Sequence, residues 1–249
     1  YADRLYQLPM GVIGVALSVT LLPELARRLA KGEKAAAHGA QDVAVLAASG
    51  LTLPAAVGLA VLAPPIVTLL FERGAFSAAD SAMTAQLILV FSFGLPAFVL
   101  VKALQPSFFA RQDTRAPLID GAVGVGVNIA LSLALFPSYG APAIAFATVM
   151  AGWVTLSLMI WRMARRDIYH FSRTLLRRLA AQVLAAALMA WALYEAARLV
   201  PPPGVWNGLL ALAAWLVVFI IGGACAYGLA VISLGGLRRA DIGLLRGRQ

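Results

Sequence analysis

Acids, cysteine and histidine are scarce in this chain. Its 249 residues include 11 Asp or Glu, 2 His and 1 Cys. A single cysteine, Cys225, excludes an intrachain disulfide, and inside an apolar run it reads as a packing residue. The histidines, His38 and His170, stand far apart and read without a Cys, Asp or His at ligand spacing, so no metal site is expected. Gly-rich phosphate loops and nucleophile motifs are missing too. Gly121, Gly124 and Gly126 lie in an apolar segment without the strand and turn that a nucleotide fingerprint needs. Small residues there point to close helix packing. No enzyme chemistry is legible, and the chain reads as a non-enzyme.

Charge is also scarce, at 12% against 61% hydrophobic residues, with a mean hydropathy of +0.86. A soluble domain needs more polar surface than that. Val43–Leu62, Ser81–Val101, Gly121–Trp161 and Leu199–Leu237 carry no Asp, Glu, Lys or Arg. A bilayer core takes roughly 20 apolar residues per helix. The four runs supply that length once, once, twice and once. They are continuous rather than alternating, which excludes a barrel. The expected fold is an all-α polytopic membrane protein.

Seven spanning helices are expected, at about Ala2–Leu25, Asp42–Leu62, Ser81–Ala103, Ala116–Phe136, Ala143–Arg162, Leu179–Arg198 and Trp206–Leu234. Gly94-Leu95-Pro96 predicts a bend in the third. Pro137 to Pro142 separates the fourth from the fifth, and Pro201 to Gly204 ends the sixth. Pro64–Phe76 reads as an interfacial helix and turn. Leu25–Gln41 reads as a solvated basic arm, with a lipid-headgroup contact as the weaker alternative.

Helices in a membrane alternate direction, so the connections fall into two sets. Glu24–Asp42, Lys102–Arg115, Arg162–Arg178 and the tail from Arg238 hold all but Arg4, Arg73 and Arg198 of the 20 Lys and Arg. This is a positive-inside pattern. It predicts a cytoplasmic C-terminus and a first helix that enters from the outer face. It also accounts for the net charge of +9 without nucleic acid as a partner.

Polar groups at membrane depth are costly and therefore functional candidates. Asp3 and Arg4 read equally as an interfacial anchor or as a site. Lys102 reads as a positive-inside flank closing the third helix. Asn128 and Ser132 share a face of the fourth helix, and Thr148 lies inside the fifth. Interhelical hydrogen bonding is their plainer reading. The breakers Pro9, Gly11, Gly14, Pro54, Gly94 and Pro96 favour a transporter over a passive scaffold.

Three stretches, in this order and spacing, carry a resemblance: YADRLYQLPMGVIGVALSVTLLPELAR, FERGAFSAADSAMTAQLILVFSFGLPAF and VKALQPSFFARQDTRAP. They resemble the MurJ/MviN lipid II flippases, whose superfamily also holds the MATE and polysaccharide exporters. The third stretch is the most specific, through Lys102, Pro106, Phe108, Arg111, Asp113, Thr114 and Pro117. Phe109 and Ala116 depart from the pattern, where Tyr and Thr are expected. The likeness runs to about the fifth helix; the last two helices match in placement and hydrophobicity.

The resemblance implies fourteen helices in two lobes plus an extra pair. Residues 1–178 would be the C-terminal lobe without its first helix, and residues 179–249 the extra pair with a basic cytoplasmic tail. A chain that begins on Tyr fits the C-terminal portion of something longer. The implied activity moves lipid II, a polyprenyl-pyrophosphate-linked peptidoglycan precursor, from the cytoplasmic to the periplasmic leaflet of the bacterial inner membrane by alternating access. Arg4 would contact the pyrophosphate in a cationic cavity shared with the N-terminal lobe. Asp3 would hold Arg4 or take part in gating, and Lys102 would belong to the same substrate-binding set. A groove beside the final helix pair would take the lipid tail. Some family members have a sodium site near the fourth and fifth helices, where Asn128, Ser132 and Thr148 fall; no cofactor is expected apart from sodium as an optional coupling ion. The remaining alternatives are a polysaccharide-repeat or drug exporter, an enzyme acting on polyprenyl phosphates, and a scaffold for cell-wall assembly.

Overall fold

The structure is a computed structural model that describes residues 2–203 and 208–236. It contains α1 (Ala2–Ala30), α2 (Lys34–Val61), α3 (Ala63–Phe71), α4 (Ala78–Phe109), α5 (Arg115–Tyr139), α6 (Ala141–Arg165), α7 (Arg173–Leu199) and α8 (Leu209–Ser233). Among the described residues, 7 helices are long and apolar enough to cross a membrane; α3 is the short exception. The start of the seventh expected helix and the tail from Arg238 lie outside the described residues.

Several helices run past the expected ends. α1 reaches Ala30, and α4 and α5 continue through Pro106 and Pro137. A proline removes one backbone donor but does not stop a helix whose neighbours hold it. Most of the expected basic arm is therefore helix, broken only at 31–33, where Gly32 takes a positive φ of 76°. The expected bend at Pro96 does not divide α4. Gly140, with φ 63°, makes the break between α5 and α6. Ser77 and Asp80 form a reciprocal capping box that starts α4.

α4 is the central element. It packs against α1, α2 and α6. Tyr6 of α1 stacks on Phe91 at 4.6 Å, and Gly14 faces the Lys102 stem at 3.4 Å. Both positions advance together, so α1 and α4 run parallel. Gln41 of α2 donates to the Ala103 carbonyl at 3.0 Å and accepts from Ser107 at 2.6 Å. α6 approaches closely because Gly152 leaves room for the Phe98 ring; a Cβ there would lie 2.4 Å from it. α5 touches little besides α6. Its Gly124 sits where a Cβ would meet the Thr155 hydroxyl at 2.2 Å, so this glycine sets the α5–α6 approach. Gly121 and Gly126, read with it as packing residues, have nothing within 4 Å.

α7 and α8 dock on the outside of α2. Ser49 donates to Gln182 Oε1 at 2.6 Å, and Gln182 Nε2 donates to the Leu46 carbonyl at 3.1 Å. Gln182 is fully buried, and Gly50 is the gap that admits its amide. Gln182→Leu should loosen this pair. Interhelical hydrogen bonds of this kind contribute about 0.6 kcal/mol each, so about 1 kcal/mol is expected. A lower thermal midpoint in detergent is the check, and an unchanged midpoint would show that apolar packing alone holds α7.

The basic ends of α1, α4 and α6 and the start of α7 collect at one end of the bundle. His38 bonds the Ile168 carbonyl at 2.9 Å, Arg111 donates to the same oxygen at 3.3 Å, and Tyr169 donates to Asp42. The connection between α6 and α7 is thereby tied to α2 and α4.

Candidate functional site

Arg4 lies in the first turn of α1, but it is not at an end of the bundle. Ala2 packs with Ala85 and Ile88, and Tyr6 stacks on Phe91. Arg4 is therefore level with Ile88–Phe91 on α4. Asp80, in the cap of α4, marks the polar boundary on that side. At 1.5 Å per residue, Arg4 lies about 15 Å below it. With a hydrocarbon core about 30 Å thick, that is the midplane. Arg4 is exposed and makes no hydrogen bond or ion pair among the described residues.

Asp3 does not hold Arg4 here. It accepts from the Gln7 amide one turn along α1. Lys102 does not close its helix either, because α4 continues to Phe109. It lies about 33 Å from Asp80 by helix rise, at the opposite boundary of the core. The Ser18 hydroxyl donates to the Lys102 carbonyl at 2.8 Å, which fixes α1 against α4 at that level. The Lys102 side chain is exposed and, like Arg4, has no polar partner among the described residues. An unpaired cation deep in the core is costly in lipid, whereas one at its boundary reaches the headgroups. Such groups are tolerated where they face water, an anion or another protein element.

Asn128, Ser132 and Thr148 do come together. Asn128 Nδ2 donates to Thr148 Oγ1 at 2.9 Å, and Thr148 donates to the Ile144 carbonyl at 2.9 Å. Ser132 lies 3.5 Å from Asn128 Oδ1. This is an interhelical hydrogen-bond chain. It has no carboxylate, and its hydroxyls and amide are spent on each other. With its oxygens engaged in these bonds, the set suits an interhelical hydrogen-bond chain better than a sodium ion.

Sequence reasoning missed the charge pairs between α5 and α6. Asp120 is fully buried and accepts from Arg162 Nη2 at 2.6 Å, with Arg162 Nε 3.2 Å from both carboxylate oxygens. Asp113 pairs with Arg166 at 2.5 Å. The Ala116 backbone N–H and the Arg166 guanidinium hold the Asp113 carboxyl below the usual carboxylate range. A lowered folded pKa contributes stability that is present above about pH 4 and lost as the pH falls through the folded value. Asp113→Asn should therefore lower the thermal midpoint at pH 7 and lower it less at pH 3. Equal losses at both would remove the charge explanation. Burial lowers the pKa of Arg111 and, with Asp42 as acceptor, raises that of Tyr169.

His170 has a carboxylate three residues away after all: Asp167 lies 2.9 Å from it. Both are exposed, and no group of three His, Cys, Asp or Glu that could hold a metal is present among the described residues. A cavity of about 650 Å³ opens at the basic end between α1, α2 and α7, lined in part by Leu17, Leu21, Glu24, Arg28 and Arg178.

Comparison with known proteins gives concordant results. A sequence model of the family described as "Lipid II flippase MurJ" matches residues 1–214. A "Probable lipid II flippase MurJ" of Rhizobium tropici is 40% identical over 247 residues, covering 99% of this chain and 46% of the relative. Another, from Rhizobium meliloti (strain 1021), is 48% identical over 196 residues, covering 79% of this chain and 37% of the relative. The chain thus spans less than half the length of these relatives. A solved structure titled "Lipid II flippase MurJ, inward closed conformation" superposes with a TM-score of 0.76 at 22% identity, over 92% of this chain and 45% of that one. That likeness shows a common fold. Seven apolar helices in that fold make the chain an integral membrane protein. With the family model matched over most of its length, the chain belongs to the lipid II flippase MurJ family.

Proposed function

We propose that this chain is part of a lipid II flippase of the bacterial inner membrane, a transporter that makes no covalent change in its substrate. What supports the reading is an exposed arginine, Arg4, without a polar partner among the described residues and level with Ile88–Phe91 of α4 rather than with the polar cap at Asp80. A guanidinium gives charge-assisted, often bidentate bonds to phosphate oxygens. The pyrophosphate of lipid II supplies what Arg4 lacks. Asp3, occupied by Gln7 in this state, is the group that exchanges partners during gating. Lys102 belongs to the same substrate-binding set.

In this reading, residues 1–178 form most of one transporter lobe and residues 179–249 an added pair. The opposing lobe of the same protein closes the cavity. The basic end is cytoplasmic, as the asymmetry of Lys and Arg requires, and the C-terminus lies on that side. The cavity bordered by α7 is the entry for the polyprenyl tail; its apolar α1 wall and rim of charges suit a lipid. Replacing sodium by potassium should leave activity unchanged, since the Asn128–Ser132–Thr148 set suits a hydrogen-bond chain better than an ion. A sodium requirement abolished by Asn128→Ala would overturn that assignment.

The test is complementation. The full-length parent is expressed in cells depleted of their own lipid II flippase. Rescue of growth at ordinary expression is expected. Failure to rescue, with the protein present in the membrane, would move the assignment to a polysaccharide-repeat exporter of the same superfamily.

A further inference from the structure

At the end of the bundle opposite the basic one, a cavity of about 410 Å³ lies between α3 and the start of α4. Its walls are mostly apolar, with Thr68, Glu72, Ser81 and Gln86 as the polar exceptions. Ser81 is 7% exposed, and its hydroxyl is buried without a hydrogen-bond partner among the described residues. A helical serine commonly donates to the carbonyl four residues back. Ser92 of the same helix does so, to Ile88 at 2.7 Å, and Ser81 does not. Glu72 accepts from the Thr68 hydroxyl at 2.9 Å through Oε2, which leaves Oε1 open among the described residues. Gln86 is exposed, has no polar partner among the described residues, and lies about 9 Å below Asp80 by helix rise. An amide left unsatisfied at that depth is costly. No Lys or Arg among the described residues lines the cavity. The adjacent Arg73 turns instead to the Leu69 carbonyl at 2.7 Å.

We propose that this cavity binds the headgroup of an aminophospholipid, with the primary ammonium at Glu72 and Ser81. In the orientation proposed above, that lipid belongs to the outer leaflet. One carboxylate without a cation beside it attracts a cationic group and repels an anionic headgroup. An ammonium brings three donors. They serve the open Glu72 oxygen, through a charge-assisted bond, and the Ser81 hydroxyl that the protein leaves without a partner. The Gln86 amide stands one level deeper, where the ester carbonyls of such a lipid can accept from it. Gln86, Leu89 and Phe93 follow at steps of three and four, so they share one side of α4. Leu89 and Phe93 are exposed and give the acyl chains an apolar track toward the midplane. This side is not the one that Arg4 occupies. Tyr6 of α1 stacks on Phe91, about half a turn around α4 from Leu89.

The experiment titrates the full-length parent, purified in detergent, with dioleoyl phosphatidylethanolamine. It follows the thermal midpoint, which rises as a ligand of the folded state saturates. Dioleoyl phosphatidylcholine, whose trimethylammonium donates no N–H bond, should raise the midpoint far less, and so should the anionic dioleoyl phosphatidylglycerol. Glu72→Gln keeps the size of the side chain and an acceptor for Thr68. It should raise the half-saturating phosphatidylethanolamine concentration about tenfold, the worth of one charge-assisted hydrogen bond. Ser81→Ala removes a hydroxyl that has no partner in the protein, so the midpoint before lipid is added should stay level or rise. The response to phosphatidylethanolamine should still weaken several-fold. That second variant decides the matter if Glu72→Gln folds poorly. An equal response to the ethanolamine and choline lipids, or wild-type half-saturation in both variants, overturns the inference. A midpoint that answers to calcium and not to the lipid overturns it as well. Lipid II is absent from the titration, so either result leaves the flippase reading where it was.

Discussion

Arg4→Ala in the full-length parent is expected to reach the membrane at the wild-type level and to lose about two orders of magnitude in lipid II translocation. The first half follows from the free side chain. Arg4 is exposed and unpartnered, so truncation leaves no buried group unsatisfied. The second half follows from what it would bind. Hydrogen bonds to charged groups contribute roughly 1.5–3 kcal/mol each, and every 1.4 kcal/mol is tenfold. Losing a bidentate contact to a pyrophosphate is then worth about a hundredfold. Arg4→Lys keeps the charge and loses the fork, so an intermediate loss, near tenfold, is expected. Growth rescue and membrane abundance, measured together, check this. Full rescue by Arg4→Ala would make Arg4 an anchor.

The second large effect concerns stability. Arg162→Ala is expected to destabilise the protein by about 3–5 kcal/mol, because it leaves the buried Asp120 carboxylate without its cation. Asp120→Asn should cost less, since the amide still accepts a hydrogen bond. Replacing both by apolar residues, as in Asp120→Leu with Arg162→Met, should recover much of the loss, because desolvating the pair offsets its attraction. The measurement is the thermal midpoint in detergent for the two single variants and the double. A double variant as unstable as Arg162→Ala would contradict this account and point to a packing defect at the α5–α6 seam.

The spanning helices were legible because charge-free runs of bilayer length admit few other readings. The grouping of basic residues was legible for the same reason: it needs only the helix count. Helix ends were not, since Pro106 and Pro137 look like terminators in one dimension and are absorbed into helices held by their neighbours. The Asp120–Arg162 pair was hidden because its members lie on different helices, 42 residues apart. Nothing local marks Asp120 as buried rather than scattered on a surface. The depth of Arg4 was hidden too. In sequence it stands at the mouth of a helix. Only the packing of Tyr6 on Phe91 places it level with the interior of the longer α4. Gly11 and Gly14 make the same point. They are identical in sequence terms, yet one faces open space and the other the stem of Lys102.

The proposed role of Arg4 requires that its side of α1 face a watery, substrate-bearing cavity and not lipid. Leu8 is 67% exposed one turn beyond Arg4 on the same side. In a full-length parent otherwise free of cysteine, Leu8→Cys should react with a charged, membrane-impermeant thiol reagent, and saturating lipid II should slow that reaction. A thiol that ignores the charged reagent but reacts with a neutral, lipid-soluble one would place this side in lipid. Arg4 would then be a snorkelling anchor, and the proposed cavity role would be wrong.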